Sequence, residues 1–400
     1  MESGWEQARA WARAEDEADP LAAARERFRR MEGIYCCSHS LGLQPRAAAG
    51  YVGEVLETWG GRGVEGHFQG GPAWGEYARP LEAISARLVG AAPEEVAVMN
   101  SLSLNLHLML ASFYKPGAGR RRILIERPAF PSDRYAVVSH LRWHGYDPDE
   151  TLVQVDAGEL PEAIERAGPG LALVLLGGVN YYSGAALDLA SCAEAAHAAG
   201  AMVGFDLAHA VGNVPIALHA SGADFAVWCG YKYLCGGPGA PGACFVSERH
   251  WGLPRLAGWW GNRAVTRFEM REAFEPEAGA AGWQVSCPSI LSLAGLRAGL
   301  EEYDAVPAAA WQRKCAALAE GFGWWAGKRL PQMKAITPAK HGAQWSLELG
   351  GTAGAVQARL REEGIYSDVR GTILRVSFHP LYNRYADVVE VLAALALGIR

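Results

Sequence analysis

The sequence predicts an α/β protein with a large domain, whose mostly parallel sheet is sandwiched by helices, and a smaller C-terminal α/β domain. Two observations indicate this architecture. Short apolar segments alternate with helix-like segments between residues 96 and 246, and from about Ser289 the sequence becomes a long stretch rich in alanine and leucine. Short apolar strands separated by helices are typical of βαβ units, whose strands run parallel. A chain of 400 residues, half of them hydrophobic, can bury the cores of two domains.

The strands and helices of the large domain follow from this alternation. Its predicted strands are Val96 to Met99, Ile123 to Glu126, Leu152 to Val155, Leu171 to Leu176, Ala201 to Phe205, Phe225 to Cys229 and Ala243 to Val246. The predicted helices between them are Leu104 to Tyr114, Ser132 to Trp143, Pro161 to Arg166 and Asp188 to Ala199. Functional groups of such sheets gather at the carboxyl ends of the strands, so we expect the site there.

The remaining segments predict an N-terminal arm and a small domain. A helical stretch from Ser289 to about Leu330 comes first in the small domain. It is followed in turn by a strand, a helix, a strand and a helix at Ala343 to Glu348, Ala353 to Glu363, Ile373 to Phe378 and Tyr385 to Leu397. The N-terminal segment is charged and helix-like, without the apolar core of a signal peptide. We expect a helix and arm at residues 1–45, the large domain at 46–285 and the small domain at 286–400.

Composition excludes several classes of function. The formal net charge of −6 and the pI near 6.0 give no indication of nucleic-acid binding. Acidic and basic residues are mixed, and no apolar run reaches the roughly 18 residues that span a bilayer. The eight cysteines and eleven histidines include no Cys-x-x-Cys and no His-Glu-x-x-His, so we expect neither a disulfide scaffold nor a protein-held metal. This composition is typical of a cytoplasmic enzyme.

The strongest functional signal is an acid and a lysine that follow two neighbouring strands. Asp206 comes after Ala201 to Phe205, and Lys232 follows Phe225 to Cys229. A carboxylate can keep a pyridine nitrogen protonated while a lysine amine condenses with an aldehyde on the same ring, and proteins hold pyridoxal phosphate in this way. For either residue alone, a capped strand end or an exposed lysine is the alternative interpretation.

A candidate phosphate site lies where a strand leads into a helix. The segment Asn100 to Asn105 offers the free N–H groups of a helix N-terminus and the hydroxyls of Ser101 and Ser103. An ordinary serine N-cap is the alternative.

Several motifs of this chain resemble those of the kynureninase family. In chain order they are Ser40-Leu-Gly-Leu-Gln-Pro45, Asn105-Leu-His107, Ser112-Phe-Tyr-Lys-Pro116, Phe130-Pro-Ser-Asp133, Phe205-Asp-Leu-Ala-His209, Trp228-Cys-Gly-Tyr231-Lys232, Gly258-Trp-Trp-Gly261 and Pro380-Leu-Tyr-Asn383. They cover most of the chain in the right order. The resemblance implies a fold type I pyridoxal-phosphate enzyme that hydrolyses L-kynurenine, or a ring-substituted kynurenine, to an anthranilate and L-alanine. It also implies a homodimer with the active site at the interface.

The resemblance further implies roles for individual residues. Lys232 would form the Schiff base with the cofactor, Asp206 would pair with the pyridinium nitrogen, and Tyr231 would relay protons. The other residues implied to contact the cofactor are Leu102, Ser103, Phe130, Asp133, His209, Trp259 and Cys287. Arg375 would bind the α-carboxylate of the substrate. The other residues implied to line the substrate side are Ser40, His67, Asn262 and Ser286.

The chain departs from the family pattern at several positions, and the resemblance places some of them beside the aryl pocket rather than the cofactor. Where the family usually has Asp-Gly-Asn-Ser-Leu-Gly, this chain has the segment from Cys37 to Gly42, with His39 in place of the asparagine. The other departures are Gly177 for a hydroxyl residue, Cys235 for asparagine, Asn262 where some relatives carry histidine, and Cys287 for asparagine or threonine. A pocket that loses polar partners usually changes which substituent it accepts. We therefore expect retained cofactor chemistry on a hydroxylated, methylated or halogenated kynurenine.

Two alternative functions stay open on the sequence alone. The first is a pyridoxal-phosphate lyase of the same fold that performs β-elimination or desulfuration on another amino acid. A desulfurase would need a nucleophilic cysteine on a mobile loop, and no cysteine here has a convincing loop context. The second is a non-catalytic relative, although a scaffold has no reason to keep Asp206, Lys232 and Arg375 together.

Overall fold

The computed structural model describes residues 2–117 and 119–398, and the following elements lie within them. The strands are β1 (Ile34–Tyr35), β2 (Val96–Met99), β3 (Arg122–Arg127), β4 (Leu152–Asp156), β5 (Leu171–Gly177), β6 (Met202–Asp206), β7 (Phe225–Trp228), β8 (Gly242–Val246), β9 (Gln344–Glu348), β10 (Ile365–Tyr366), β11 (Asp368–Arg370) and β12 (Ile373–Ser377). The α-helices are α1 (Glu2–Ala18), α2 (Ala48–Arg62), α3 (Arg79–Val89), α4 (Leu102–Phe113), α5 (Pro131–Trp143), α6 (Pro148–Thr151), α7 (Glu162–Ala167), α8 (Leu189–Ala198), α9 (Leu218–Ser221), α10 (Ile290–Asp304), α11 (Ala308–Arg329), α12 (Ala353–Glu362) and α13 (Tyr385–Gly398). None of these helices is both long enough and apolar enough to cross a membrane.

A seven-stranded sheet forms the centre of the molecule, in the order β2-β8-β7-β6-β5-β3-β4. Strands β3 to β7 pair in parallel, and β8 runs antiparallel to both of its neighbours. The mostly parallel sheet predicted from the sequence is thus confirmed, and each of its seven strands lies where the apolar segments predicted it. These strands read as continuous apolar runs because helices cover the sheet and bury both of its faces.

Alternate side chains of each strand enter two different cores. On β5, Leu173 and Leu175 pack in one apolar cluster with Phe225, whereas Val174 and Leu176 pack in another on the opposite face. This alternation follows from the two-residue period of a strand.

The order of the strands places a switch point beside β3. Both β4 and β5 pair with β3, one on each side of it, so the connections on the two sides diverge. Crevices at such a point, outside the carboxyl ends of the strands, are where open α/β sheets bind ligands. The carboxyl ends of β3, β5, β6 and β7 all lie along this edge.

A second core surrounds a three-stranded antiparallel sheet in the order β11-β12-β9. The apolar residues of this core come from α11, α12 and α13 and include Ala8 and Ala12 of α1. The arm also joins this part of the molecule, because its strand β1 pairs in parallel with β10. By contrast, Leu293 and Leu300 of α10 belong to a core of the large sheet. We therefore propose that the domain boundary lies within α11 rather than at residue 286, and that α1 belongs to the small domain.

The N-terminal arm crosses directly over the loop that carries Lys232. The N–H of Gly42 donates to the Tyr231 carbonyl at 2.9 Å. A β-carbon on Gly42 would lie 2.5 Å from the Lys232 carbonyl oxygen and 2.5 Å from the Cys235 Sγ. Only a glycine leaves room for this approach.

We expect Gly42→Ala to lower the free energy of unfolding by about 1–3 kcal/mol, because the new methyl group must displace the Lys232 loop. The measurement is chemical denaturation of the purified protein. Gly50→Ala is the matched control, since Gly50 is an exposed position of α2 with open space around its Cα, and alanine there should stabilise the helix slightly. An equal free energy of unfolding for Gly42→Ala and wild type would show that the arm does not pack tightly against this loop.

Candidate active site

A cleft opens at the carboxyl ends of the central strands. It is lined by Leu102, Ser103, Glu126, Phe130, Asp133, Gly177, Val179, Tyr181, Asp206, Ala208, His209, Tyr231 and Lys232. The structure thus brings together eight of the ten residues predicted to contact a cofactor.

Lys232 reaches the cleft from a tight loop after β7. The loop is closed by two backbone hydrogen bonds, from the N–H of Gly236 to the Gly230 carbonyl at 2.9 Å and from the N–H of Cys235 to the Lys232 carbonyl at 3.0 Å. The Lys232 side chain is buried, and its Nζ lies 5.6 Å from the centre of the Phe130 ring. A lysine held this way presents its amine to a planar ligand that stacks on Phe130.

The N-terminus of α4 provides an anion site at one end of the cleft. The chain turns sharply from β2 at Asn100, whose φ of 47° is left-handed and whose amide donates to Asn105 Oδ1 at 3.0 Å. Asparagine tolerates this conformation better than most residues. The hydroxyl of Ser101, at the N-cap, makes no capping hydrogen bond. The N–H groups of the first turn are therefore available to a phosphate.

The motif that begins at Phe130 forms the start of α5. Pro131 stands at the first helical position, where its missing N–H costs nothing, and Asp133 lies in the first turn. The hydroxyl of Ser132 lies 2.8 Å from that of Ser103, so α4 and α5 meet at the anion site.

Three carboxyl groups converge in the cleft from β3, α5 and β6. Asp206 ends β6, and its Oδ1 accepts a hydrogen bond from the N–H of Ala208 at 2.7 Å. Burial and then the charge of Asp206 raise the pKa of Asp133 well above its usual range. Burial also raises the pKa of Glu126 to about 7, and Asp206 adds to this, although the N–H of Gly177 opposes it. Asp133 is therefore protonated at neutral pH, and the Glu126 carboxyl, with a pKa of about 7, is partly protonated there.

Glu126 was not predicted as a site residue, and it explains one departure from the family pattern. Its Oε1 accepts a hydrogen bond from the N–H of Gly177 at 3.0 Å. A β-carbon on Gly177 would lie 2.8 Å from the same oxygen. Glycine at 177 therefore leaves the space that the Glu126 carboxyl fills. Its position at the end of β3 was the signal in the sequence that could have identified it.

His209 lies one turn beyond Asp206 on the floor of the cleft. Its side chain is buried, and its Nδ1 has no hydrogen-bond partner among the described residues. Burial lowers the pKa of His209 well below its usual range, and the nearby charge of Lys232 lowers it further. His209 is therefore a neutral imidazole that can bind a ligand through Nδ1.

Arg375 occupies the centre of β12 and faces a carboxylate that sequence reasoning missed. Its register partner on β11 is Asp368, whose Oδ2 forms an ion pair with Arg375 Nη2. Arg375 Nη1 donates to the Tyr181 carbonyl at 2.6 Å, and Ser40 Oγ donates to Asp368 at 3.0 Å. Burial opposes ionisation of Asp368, but His39 and Arg375 outweigh it and hold the pKa of this carboxyl below its usual range. The predicted substrate residues Arg375 and Ser40 thus meet in one charged cluster.

The other five predicted residues lie outside the cleft of this chain. Trp259 is 45 % exposed and its indole N–H donates to the Arg267 carbonyl at 3.0 Å. The Oδ1 of the buried Asn262 accepts from the N–H of Glu275 at 2.9 Å. The remaining three are the exposed Ser286, the half-buried Cys287 and His67, whose ring packs against that of Trp74. Within one chain, these residues do not contribute to the site.

The groups of the cleft fit pyridoxal phosphate. Lys232 supplies a buried amine beside an aromatic face, and Asp206 supplies a carboxylate for the ring nitrogen. The helix terminus at Leu102 and Ser103 supplies N–H and hydroxyl donors for a phosphate. Two buried polar atoms, Asp133 Oδ1 and His209 Nδ1, have no partner among the described residues, which agrees with a polar ligand in the same space.

We expect Asp206→Asn to impair the site far more than Asp133→Asn. Asparagine resembles the neutral acid that Asp133 already is, whereas at 206 it removes the charge that faces the ring nitrogen. The expected loss for Asp206→Asn is about 10-fold to 100-fold in kcat/KM, and for Asp133→Asn only a few-fold. Both variants would be assayed after titrating the apoprotein with cofactor, and equal losses would contradict the assigned protonation.

Comparison with known proteins agrees with this geometry. The family model described as Aminotransferase class-V matches residues 144–333, and the one described as Kynureninase C-terminal domain matches residues 312–395. A kynureninase of Xanthomonas euvesicatoria pv. vesicatoria (strain 85-10) is 48% identical over 404 residues, covering 95% of this chain and 96% of its own. A kynureninase of Xanthomonas campestris pv. campestris (strain B100) is 47% identical over 409 residues, covering 96% of each chain.

Solved structures with the same fold include two cysteine desulfurases. The one from Escherichia coli has a TM-score of 0.77 at 19% identity, covering 94% of this chain and 98% of its own. The one from Thermococcus onnurineus NA1 has a TM-score of 0.74 at 19% identity, covering 91% of this chain and 94% of its own. At such low identity these structures show the fold alone, and they confirm the predicted fold class.

Proposed function

The chain belongs to the kynureninase family, and on that basis we propose how its residues hydrolyse a kynurenine. It is a pyridoxal-phosphate hydrolase that cleaves the Cβ–Cγ bond of L-kynurenine, or of a ring-substituted kynurenine, to release an anthranilate and L-alanine. The observation that carries this assignment is the burial of Lys232 and Asp206 in one cleft of a chain that matches kynureninases over nearly its full length.

Pyridoxal phosphate, when bound, serves as an electron sink for the carbanions that form at the α- and β-carbons of the substrate. Lys232 would hold it covalently, Asp206 would face its ring nitrogen, and Leu102 and Ser103 would bind its phosphate. Once its amine is free, Lys232 takes a proton from the α-carbon and later returns one.

Tyr231 supplies a second proton-bearing group next to Lys232. Burial, together with Cys229, raises the pKa of the Tyr231 phenol above its usual range. The phenol therefore remains protonated and can donate a hydrogen bond to an oxygen that gains negative charge. We propose that Tyr231 acts in this way on the γ-carbonyl oxygen of the substrate as water adds to it.

Arg375 is the group proposed to bind the substrate α-carboxylate. A guanidinium matches a carboxylate with two parallel hydrogen bonds, and Arg375 is buried at the edge of the site. Its Nε has no partner among the described residues, so one donor of its fork is available to a ligand.

The cysteines do not support the desulfurase alternative. All eight thiols are buried or half-buried, and burial raises the pKa of each of them. A nucleophilic cysteine requires the opposite, a lowered pKa and access to the substrate. Eight unpaired thiols also support a location in the cytoplasm, where disulfides are rare.

We propose a homodimer in which a second copy completes each site. A partly exposed aromatic surface lies outside the cleft and is defined by the exposed Phe68, Trp259 and Phe268 and the half-buried His67 and Trp74. Phe68 is 55% exposed and Phe268 48% exposed, and their rings lie 5.2 Å apart. Exposed apolar side chains that pack together in this way often mark an interface. This surface carries Trp259 and His67, two of the five predicted residues that the cleft of the same chain lacks.

The departures near the aryl end favour a substituted ring. Cys235 stands where the family usually has asparagine, and Cys287 stands where it usually has asparagine or threonine, so this chain carries fewer strong hydrogen-bonding groups at these two positions. We propose that the preferred substrate is a hydroxylated, methylated or halogenated kynurenine derived from tryptophan catabolism.

The reaction is tested by incubating the holoenzyme with L-kynurenine, with 3-hydroxy, methyl and chloro analogues, and with L-cysteine. We expect an anthranilate and L-alanine from the kynurenines, with the highest kcat/KM for a substituted ring, and no sulfide from L-cysteine. Pyruvate or sulfide as the product would overturn the assignment, and a preference for unmodified kynurenine would remove the proposed change of substrate.

Lys232→Ala serves as the matched negative control for this assay. We expect it to lose at least about 10²-fold to 10⁴-fold in turnover, because it lacks the proton-transfer amine. It should also lose the borohydride-sensitive visible absorbance. Lys340→Ala, at an exposed lysine, should retain both properties.

The homodimer is tested by placing a charge on the aromatic surface. We expect Phe268→Glu to shift the protein towards monomer in sedimentation velocity and to lose activity in proportion. Trp143→Glu is the control, since Trp143 is 88% exposed on α5, outside the aromatic surface. An active monomer, or a wild type that sediments as a monomer, would refute the shared site.

A further inference from the structure

His39 lies between the cofactor side of the cleft and the ion pair of Asp368 and Arg375. Its ring centre is 6.4 Å from that of His209 on the cofactor side. Its Nε2 is 3.3 Å from Asp368 Oδ2, the atom that also holds Arg375. The side chain is completely buried, so these neighbours determine its state.

The surroundings of His39 determine which of its nitrogens can donate. Burial, together with the positive charges of Arg375 and Lys232, lowers the pKa of His39 to about 4, against the opposing effect of Asp368. The ring is therefore neutral at pH 7, with one N–H and one lone pair. A carboxylate facing Nε2 favours the tautomer with its proton on that nitrogen.

Asp368 is a shared acceptor for several donors. Besides Arg375 Nη2, it accepts from Ser40 Oγ at 3.0 Å and from Arg370 Nη1 at 2.7 Å, and His39 Nε2 approaches the same oxygen as Ser40. Asp368 and an incoming substrate carboxylate compete for the same donor of Arg375. Nε and Nη2 form one edge of the guanidinium, and Asp368 already holds Nη2.

Loss of one strong donor from a buried carboxylate is costly unless another donor takes its place. We propose that His39 is a positioning residue for substrate binding: its Nε2–H holds Asp368 when Arg375 turns Nη2 to the α-carboxylate of the amino acid. The proposal rests on the proposed function only to the extent that the ligand is an α-amino acid. It assigns a role to the side chain that stands where the family usually has asparagine.

Two substitutions separate positioning from space filling. His39→Leu removes the donor at nearly constant size, whereas His39→Gln retains an N–H at a reach similar to that of Nε2. Ser38→Ala is the control for general damage to the arm, because Ser38 is buried next to His39 but bonds to the Tyr382 hydroxyl instead.

The first measurement is steady-state turnover of L-kynurenine by each holoenzyme. For His39→Leu we expect KM to rise about 10-fold to 100-fold, the effect of losing a hydrogen bond to a charged group, while kcat changes only a few-fold. His39→Gln should restore most of the wild-type KM, and Ser38→Ala should leave KM unchanged. A fall in kcat without a rise in KM, or equal defects in the Leu and Gln variants, would overturn the proposal.

The second measurement is binding of two amine probes that have no γ-carbonyl, so it does not depend on cleavage of the Cβ–Cγ bond. L-Alanine carries the α-carboxylate and ethylamine lacks it, so the ratio of their dissociation constants by calorimetry reports the carboxylate site. We expect the ratio of the two dissociation constants to approach 1 in His39→Leu and to stay near its wild-type value in His39→Gln. An unchanged ratio in His39→Leu would refute the role of His39. A wild type that shows this ratio but fails to cleave kynurenine would refute the proposed reaction alone.

Discussion

The register of the parallel strands β5, β6 and β7 is the constraint on which the site depends. Asp206 at the end of β6 pairs with Gly177 of β5 on one side and with Val227 of β7 on the other. Because the three strands end together, the loops that follow them must open on the same edge. The carboxylate of Asp206 and the amine of Lys232 therefore face a common cleft. A slip of one residue in β6 would turn Asp206 to the other face of the sheet.

Charge is distributed along this edge so that each end of the cleft suits a different part of the ligand. In the proposed site, the positive dipole at the helix terminus near Leu102 would face the phosphate, and the carboxylate of Asp206 would face the ring nitrogen. Asp133, a second acid beside Asp206, stays neutral because burial and its neighbour both oppose ionisation. At the far end, Arg375 is buried but paired with Asp368, which a buried guanidinium requires until a substrate replaces that partner.

The side chains of the site, and not the shared fold, separate this chain from its structural neighbours. Cysteine desulfurases have the same architecture at 19% identity, so the fold alone does not identify the reaction. The distinction rests on side chains, because all eight thiols are buried or half-buried and none is poised for nucleophilic attack. Within the site, the Glu126 carboxyl fills the space next to Gly177.

The sequence by itself determined the large sheet, and it predicted a site at Asp206 and Lys232, which follow two of the strands. Buried parallel strands are continuous apolar runs, so local composition reveals them, and Asp206 and Lys232 stand directly after such runs. The helices α2 and α3 and the pairing of β1 with β10 were not anticipated, because α2 contains several glycines and strand pairing joins segments far apart in the chain. Only the tertiary structure revealed that His39 lies beside Asp368, and only it separated Trp259 and His67 from the cleft. These facts depend on which distant elements meet, and the local pattern of residues does not encode that.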